Sequence, residues 1–178
     1  MPSPPDTLET RARAIRLILL DVDGVLTDGT VFLGATGEEF KGFSIRDGAA
    51  IQIAKREGLM VGLLSGRPSG ATARRAAELG LTVVKQTGPD KRQAYREILD
   101  ELGIDDAAVA YMGDDLLDLP VLGRVGLSTA PADAAQDVRS RVHWVAGAPG
   151  GRGAVRELIE LILRARGRWQ PIVEGYLA

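Results

Sequence analysis

The stretch Ile15-Arg16-Leu17-Ile18-Leu19-Leu20-Asp21-Val22-Asp23-Gly24-Val25-Leu26-Thr27-Asp28-Gly29 decides the fold. Its first six residues are apolar except for Arg16, too short a run for a helix, and they end on an acidic cluster containing glycine. That is the pattern of a buried strand delivering two carboxylates at its C-terminal end. Outward from it the same unit recurs. Leu59 to Leu64 is a second apolar run, stopped by Ser65-Gly66-Arg67-Pro68, and Leu81 to Val84 is a third. Val109 to Met112 is a fourth, stopped by Gly113-Asp114-Asp115, and Gly126-Leu127-Ser128 and Val142 to Val145 add a fifth strand and a short last one.

Helix patterns alternate with these strands. Ala50, Ile51, Ile53 and Ala54 precede a stop at Gly58, with Asp47 placed to cap that helix; Ser69 to Leu79 closes at Gly80; Lys91 to Leu102 closes at Gly103. A helix is expected near 132–138, and a last one from Gly153 collects Val155, Leu158, Ile159 and Ile162 on one face. Strands alternating with helices predict a doubly wound, Rossmann-like α/β fold, a parallel sheet with helices on both faces and ligands at the carboxyl ends of its strands. The polar clusters all fall at those ends.

One insertion breaks the alternation. Residues 28–44 read as a small β-hairpin after the first strand, Thr30 to Leu33 and Glu39 to Ser44 being its arms around Gly34-Ala35-Thr36-Gly37. About 40 residues separate Asp21 from Ser65, and the hairpin, one helix and one strand use most of them, leaving no room for a cap domain. Phe32, Phe40 and Phe43 on this hairpin must either fold back onto their own sheet or meet another subunit, and Trp169 and Tyr176 in the C-terminal tail, 167–178, pose the same choice. Residues 1–12 read as a flexible tail, and the 178 residues as one domain.

Composition excludes several classes of function. Lys plus Arg number 22 against 24 Asp plus Glu without long blocks of either sign, so no footprint for nucleic acid is present, although a few placed cations suffice for a small anion. Cysteine is absent, which removes disulfides, thiolate metal sites and cysteine nucleophiles and fits a cytoplasmic protein. No apolar run approaches the roughly 18 residues that a membrane span needs, so no membrane partner is expected.

The clusters carry a specific chemistry. Asp21 and Asp23 lie two apart, on one side if the chain stays extended, and Asp114 at another strand end can complete an oxygen-only cation site. Mg²⁺ suits such donors better than Zn²⁺, and the single histidine, His143, lies outside the clusters in an apolar strand and reads as structural. A carboxylate attacking a phosphomonoester dianion needs cations to neutralise the phosphoryl oxygens, and Ser65 and Lys91 are the obvious donors. The second acid, Asp23, can protonate the leaving alkoxide and later take a proton from water.

Together Asp21-x-Asp23-Gly24, Leu64-Ser65-Gly66-Arg67, Lys91 and Gly113-Asp114-Asp115-x-x-Asp118 resemble the four motifs of the haloacid dehalogenase superfamily, over nearly the whole chain. The resemblance implies Asp21 as nucleophile, Asp23 as general acid and base and as a metal ligand through its main-chain carbonyl, and Ser65 and Lys91 as the phosphate-holding pair. It further implies Asp114 as the remaining metal carboxylate, with Asp115 and Asp118 behind it.

Three further segments narrow the resemblance. The opening through Thr27-Asp28-Gly29, Phe43-x-x-Arg46-Asp47-Gly48, and Gly150-Gly151-Arg152-Gly153-Ala154-Val155-Arg156-Glu157 are similar to the branch that hydrolyses 3-deoxy-D-manno-octulosonate 8-phosphate. That branch implies a capless homotetramer serving lipopolysaccharide inner-core precursor synthesis, with hairpin and C-terminal tail closing a neighbour's site. It implies substrate contacts from Asp23, Ser44, Ile45, Arg46, Asp47, Gly48, Gly66, Arg67, Arg75 and Lys91. Arginine forks suit both the carboxylate and the phosphate of an acidic sugar phosphate. Arg67 favours the eight-carbon substrate, since relatives acting on nine-carbon keto acids tend to carry glutamate there. Another acidic sugar phosphate is the alternative substrate, and a catalytically quiet oligomerisation domain the alternative role. Two departures stand out: Ala49-Ala50 where relatives usually have Tyr-Gly or Leu-Gly, and Thr87-Gly88-Pro89-Asp90 before the motif lysine.

Overall fold

A computed structural model describes residues 7–88 and 90–177. The chain runs α1 (Leu8–Ala14), β1 (Leu17–Leu20), a hairpin of β2 (Phe32–Leu33) and β3 (Glu39–Phe40), α2 (Ile45–Arg56), β4 (Met60–Ser65), α3 (Gly70–Glu78) and β5 (Val83–Gln86). It continues through α4 (Lys91–Leu102), β6 (Val109–Met112), α5 (Leu119–Leu122), β7 (Leu127–Ala130), α6 (Gln136–Arg139), β8 (Trp144–Val145), α7 (Ala154–Ala165) and α8 (Trp169–Gly175).

Six strands form one sheet in the order β5-β4-β1-β6-β7-β8, and every pairing in it is parallel. From β1 the chain builds outward through β4 to β5, then returns to lay β6, β7 and β8 on the other side. Strand order therefore reverses between β1 and β6, and a crevice opens at their carboxyl ends. Side chains of β1 alternate as a doubly covered strand requires. Ile18 and Leu20 enter a core with Ile51 of α2 and Leu158 and Ile162 of α7, while Leu17 and Leu19 enter another with Tyr95 and Ile98 of α4. The predicted doubly wound sheet is the observed one, and only the small hairpin occupies the place of a cap among the described residues.

Several boundaries differ from expectation for identifiable reasons. Of the tail expected over 1–12, residues 1–6 lie outside the described residues, but the rest is helix: Thr7 and Thr10 form a reciprocal capping box at the start of α1. Arg11 and Arg13 then tie α1 to Gly126 O at 2.6 Å and Ala165 O at 3.0 Å. The C-terminal tail is likewise largely α8, and Trp169 folds back, buried between the guanidiniums of Arg156 and Arg164. No element was expected over 116–122, where a 3-10 turn (Leu116–Asp118) leads into α5, because a four-residue helix carries too little periodicity to read. The strand expected at Leu81 to Val84 starts at Val83, and the hairpin is two residues long on each arm.

Asp47 performs a different task from capping its own helix. Ser44 caps α2, accepting from Asp47 N at 3.3 Å. The Asp47 carboxylate, fully buried, accepts instead from Gly153 N at 3.2 Å and Arg156 N at 2.9 Å, so it caps α7 from across the core. Glycines bring α7 to this place: a Cβ on Gly150 would collide with Gly24 O, and Gly151 at φ +64 donates to Val25 O at 2.8 Å. The start of α7 is thus clamped against the loop that follows β1. Replacing Asp47 by Ala orphans two buried N–H groups and is expected to cost about 2 kcal/mol, measured as a lowered urea midpoint at unchanged slope.

Candidate active site

Three strand ends and one helix start converge on one cavity of about 300 Å³. Asp21 follows β1, with its main-chain N–H held by Met112 O at 3.0 Å; Ser65 ends β4; Lys91 opens α4; Asp114 follows β6. All four line the cavity together with Asp23, Gly29, Gly66, Arg67, Asp115, Leu117 and Asp118. After Asp21 the chain does not stay extended, as the sequence reading assumed. Val25, Leu26 and Thr27 all direct their N–H groups to Val22 O, and the resulting turn separates the two acids. Gly24, at φ +84, lies where any Cβ would strike the Asp114 carboxylate, so glycine at this turn is what lets Asp114 approach.

Lys91 is the centre of the charge arrangement. Its buried ammonium lies 2.9 Å from Asp21 Oδ1, 2.7 Å from Asp118 Oδ1 and 3.1 Å from the Tyr111 hydroxyl, which uses all three of its donors. Burial works to lower its pKa, but Asp21 and Asp118 outweigh that and leave it raised, so the ammonium stays charged. Tyr111, fully buried and therefore held as a neutral phenol, donates to Asp118 Oδ1 at 2.6 Å.

Asp118 joins Asp21 and Asp114 in a cluster whose carboxylate oxygens approach within 4.8 Å of one another. Its lone pairs, however, are already used. Oδ1 accepts from Lys91 and Tyr111, and Oδ2 accepts from Asp114 N at 2.9 Å and Asp115 N at 3.2 Å. Asp118 therefore orients Lys91 and the Asp114 loop, leaving Asp21 and Asp114 as the carboxylates with oxygens to spare. Three carboxylates around one ammonium hold excess negative charge in a buried place. Burial pushes Asp21 up to about 6, against the pull of Lys91, and pushes Asp114 up to about 8 with Asp21 and Asp118 adding to it. An all-oxygen site with surplus negative charge fits Mg²⁺.

The Asp23 carboxylate points away from this cluster toward the hairpin, where Lys41 Nζ lies 2.7 Å from Oδ1 and donates to Oδ2 at 3.0 Å. Ser65, nearly without exposure, exchanges hydrogen bonds at 3.3 Å with the main chain of Arg67, and the Arg67 guanidinium reaches Glu39 of β3 at 2.5 Å. Not every residue singled out from the sequence meets Asp21. Arg75 lies under Phe43 and donates to Ser44 O at 3.3 Å, in a groove of about 740 Å³ between the hairpin and α3. Arg46 lines another cavity with Arg152 and Arg156. Ile45 is exposed, Asp47 serves α7, and Gly48 lies where a Cβ would strike Arg75. His143 is structural as expected, its Nδ1 accepting from Ser128 N at 3.0 Å. Ala50 packs into the core while Ala49 is exposed, and Pro89 of the second departure lies outside the described residues. Lys41, Glu39 and Tyr111 were not found from sequence: a lone lysine or glutamate on a hairpin, or a tyrosine inside a strand, gives no signal of the distant partner it reaches.

A family model for haloacid dehalogenase-like hydrolases matches residues 33–126. The 3-deoxy-D-manno-octulosonate 8-phosphate phosphatase KdsC of Salmonella typhi is 44% identical over 159 residues, covering 89% of this chain and 85% of that protein. The chain belongs to the haloacid dehalogenase-like hydrolases. Among solved structures, the 3-deoxy-D-manno-octulosonate 8-phosphate phosphatase from Yersinia pestis superimposes with a TM-score of 0.90 at 43% identity, over 93% of this chain and 89% of that one. The Moraxella catarrhalis phosphatase of the same name, solved in complex with magnesium ion, phosphate ion and KDO molecule, gives 0.92 at 34% identity over 95% and 97%.

Raised carboxyl pKa values in this hydrolase set the sign of a pH effect. Between the ordinary value near 3.8 and the folded values of about 6 and about 8, the folded protein binds more protons than the unfolded chain. Stability from these groups is therefore complete at low pH and is lost as pH rises through those two values. In chelator the melting temperature should fall as pH rises through this window. In Mg²⁺, which takes the place of the protons, the fall should shrink, so the stabilisation by Mg²⁺ grows with pH in differential scanning calorimetry.

Proposed function

We infer that this protein is a Mg²⁺-dependent phosphomonoesterase that hydrolyses 3-deoxy-D-manno-octulosonate 8-phosphate to the free sugar acid and phosphate, in the formation of lipopolysaccharide inner-core precursors. The single observation that carries the chemistry is Asp21 held by Lys91 in a buried cavity that also presents Ser65 and Asp114. The relatives that share this chain's sequence over most of its length carry that substrate in their names.

The phosphoryl group enters the cavity at the strand ends, where the Ser65 hydroxyl, the Gly66 N–H and the Lys91 donor freed as Asp21 turns to phosphorus take its oxygens. An Asp21 carboxylate oxygen attacks phosphorus as the ester P–O bond breaks, and Asp23 gives its proton to the departing alkoxide. A water molecule then attacks phosphorus of the aspartyl-phosphate, Asp23 takes its proton, and Asp21 is released with free phosphate. Mg²⁺, held by Asp21, the Asp23 main-chain carbonyl and Asp114, would supply positive charge that offsets the phosphoryl dianion. Asp118 and Tyr111 keep Lys91 in place through both steps. Arg67, at the cavity wall, is positioned to receive the sugar acid once it parts from Glu39.

A homotetramer fits the remaining surface. In the single chain Phe32 and Phe40 pair across the hairpin yet are 62% and 61% exposed, and Leu33 is 74% exposed. An exposed Phe32–Phe40 pair on one face of the hairpin calls for a covering surface. Arg46, exposed on its own chain, would then reach substrate from a neighbouring subunit, whereas Arg75 is buried against Phe43, Ser44 and Glu78 of its own chain. No helix among the described residues is long and apolar enough to cross a membrane; a cytoplasmic location is proposed because the cysteine-free sequence fits a reducing compartment.

Phosphate release over a panel of sugar phosphates, with and without Mg²⁺, tests the substrate. The eight-carbon acid should exceed all others, and equal turnover of a nine-carbon keto acid phosphate would move the assignment to that alternative. Asp21→Asn should reduce turnover by at least about 10³-fold, since it removes the nucleophile while preserving shape. Phe32→Ser with Phe40→Ser should shift the sedimentation coefficient from tetramer toward smaller species, and an unchanged species would count against the hairpin as the contact.

A further inference from the structure

Lys41 carries a fully buried side-chain charge outside the strand-end cluster. Its main chain is partly exposed, but its side chain has 0% exposure, although it lies just past β3 on a hairpin whose tip is open to solvent. The ammonium contacts both Asp23 oxygens at 2.7 and 3.0 Å, stands 3.8 Å from Glu39 Oε1 and lies 3.5 Å from Thr72 Oγ1. Burying an ammonium costs several kcal/mol unless a close anion offsets it, and Asp23 is the nearest. The contact is long-range and built from both sides. Two residues before Lys41, on the same side of an extended arm, Glu39 binds Arg67 at 2.5 Å and accepts from the Ser69 hydroxyl that caps α3. Through Ser69, a contact that remains when Arg67 turns to substrate, Glu39 fixes the arm against the start of α3, and that fixed arm sets where the Lys41 ammonium stands.

We propose that Lys41 is a positioning residue for proton transfer by Asp23, so that the hairpin arm 39–41 is a working part of its own subunit's active site. Within the cavity Asp23 has two alternatives: to turn into the crowded group of Asp21, Asp114 and Asp118, or to stand on the cavity wall. The ion pair with Lys41 holds it on the wall. From there the balance of the reaction is simple. Asp23 first takes the proton of the entering phosphate monoanion. As the Asp21–phosphorus bond forms and the ester P–O bond breaks, that proton passes to the alkoxide and the ion pair with Lys41 is restored. As water attacks and the Asp21–phosphorus bond breaks, one water proton passes to Asp23 and leaves with the phosphate.

This rests on the reading of Asp23 as acid and base, and the leaving group separates the two claims. An alkyl phosphate needs a proton on its departing oxygen, whereas p-nitrophenyl phosphate expels a stable phenolate without one. The quantity kcat/KM reports events up to formation of the aspartyl-phosphate, so the later hydrolysis does not blur the comparison. For Lys41→Met, kcat/KM is expected to fall about 10- to 100-fold on the sugar phosphate and less than about 3-fold on p-nitrophenyl phosphate, within the range that general acid catalysis supplies. Lys41→Arg should recover most of the loss, and Lys41→Gln serves as the neutral variant where Lys41→Met does not fold. Equal losses on both substrates at an unchanged melting temperature would reduce Lys41 to a structural role, and so would full activity on both. Asp23→Asn run beside them distinguishes the failures. If it lacks leaving-group dependence, the role of Asp23 itself is wrong; if it shows the dependence and Lys41→Met does not, only the positioning role is.

Discussion

Everything at the active end of this protein is arranged around one buried ammonium. Lys91 sits between Asp21 and Asp118 with the Tyr111 hydroxyl as its third partner, and those groups come from β1, the turn after β6, and β6 itself. A charge in that position is tolerable only if its counter-ions are fixed, because the desolvation cost of the lysine exceeds what loosely held carboxylates would return. The sheet order meets that requirement. Placing β1 between β4 and β6 puts Asp21 within reach of groups that are about 70 to 97 residues away in sequence, and the turn at Gly113 to Asp118 folds back so that one carboxylate binds both lysine and loop.

The same arrangement explains why the fold was readable and parts of the site were not. Strands such as Val109 to Met112, buried on both faces, must be continuous apolar runs, and polar groups beyond their ends must serve a ligand, so sheet and cluster both leave a local imprint. Lys91 and Asp114 were legible because they recur at fixed places relative to those imprints. Asp118 could be placed behind the metal carboxylate only through resemblance. Its saturation by four donors is a property of the turn's geometry, and no spacing encodes it. Asp47 shows the limit more sharply. It stands where a helix cap belongs and is one, but for a helix more than a hundred residues later, since Ser44 already supplies the local cap. Sequence chemistry gives the capacity of a carboxylate, while its partner is decided by topology.

The glycines around Gly24 and Gly150 tie these two levels together. Gly24 admits the Asp114 carboxylate and Gly150 admits the loop before α7, so both neighbours close on the turn after β1 without a side chain to hold them off. That turn is consequently squeezed from the Asp114 side and from the core side at once. The crowding bears on the turn from which Asp21 faces Lys91 and Asp23 faces Lys41.

The hairpin divides between its two faces in a way that neither a purely structural nor a purely oligomeric role accounts for. One face is polar and inward: Glu39 and Lys41 make charged contacts with Arg67, Ser69 and Asp23 of their own chain. The other is apolar and outward: Phe32 and Phe40 pair across the strands and are largely exposed. Apolar association at the outward face is non-directional and tolerant of small shifts, whereas the ion pairs on the inward face are lost over an ångström or two. A partner subunit seated on the outward face would therefore stiffen the arm without having to define it, and the fine placement of Lys41 against Asp23 would remain a property of the single chain. In the proposed tetramer, assembly would then act on the proposed proton transfer through the rigidity of one short strand.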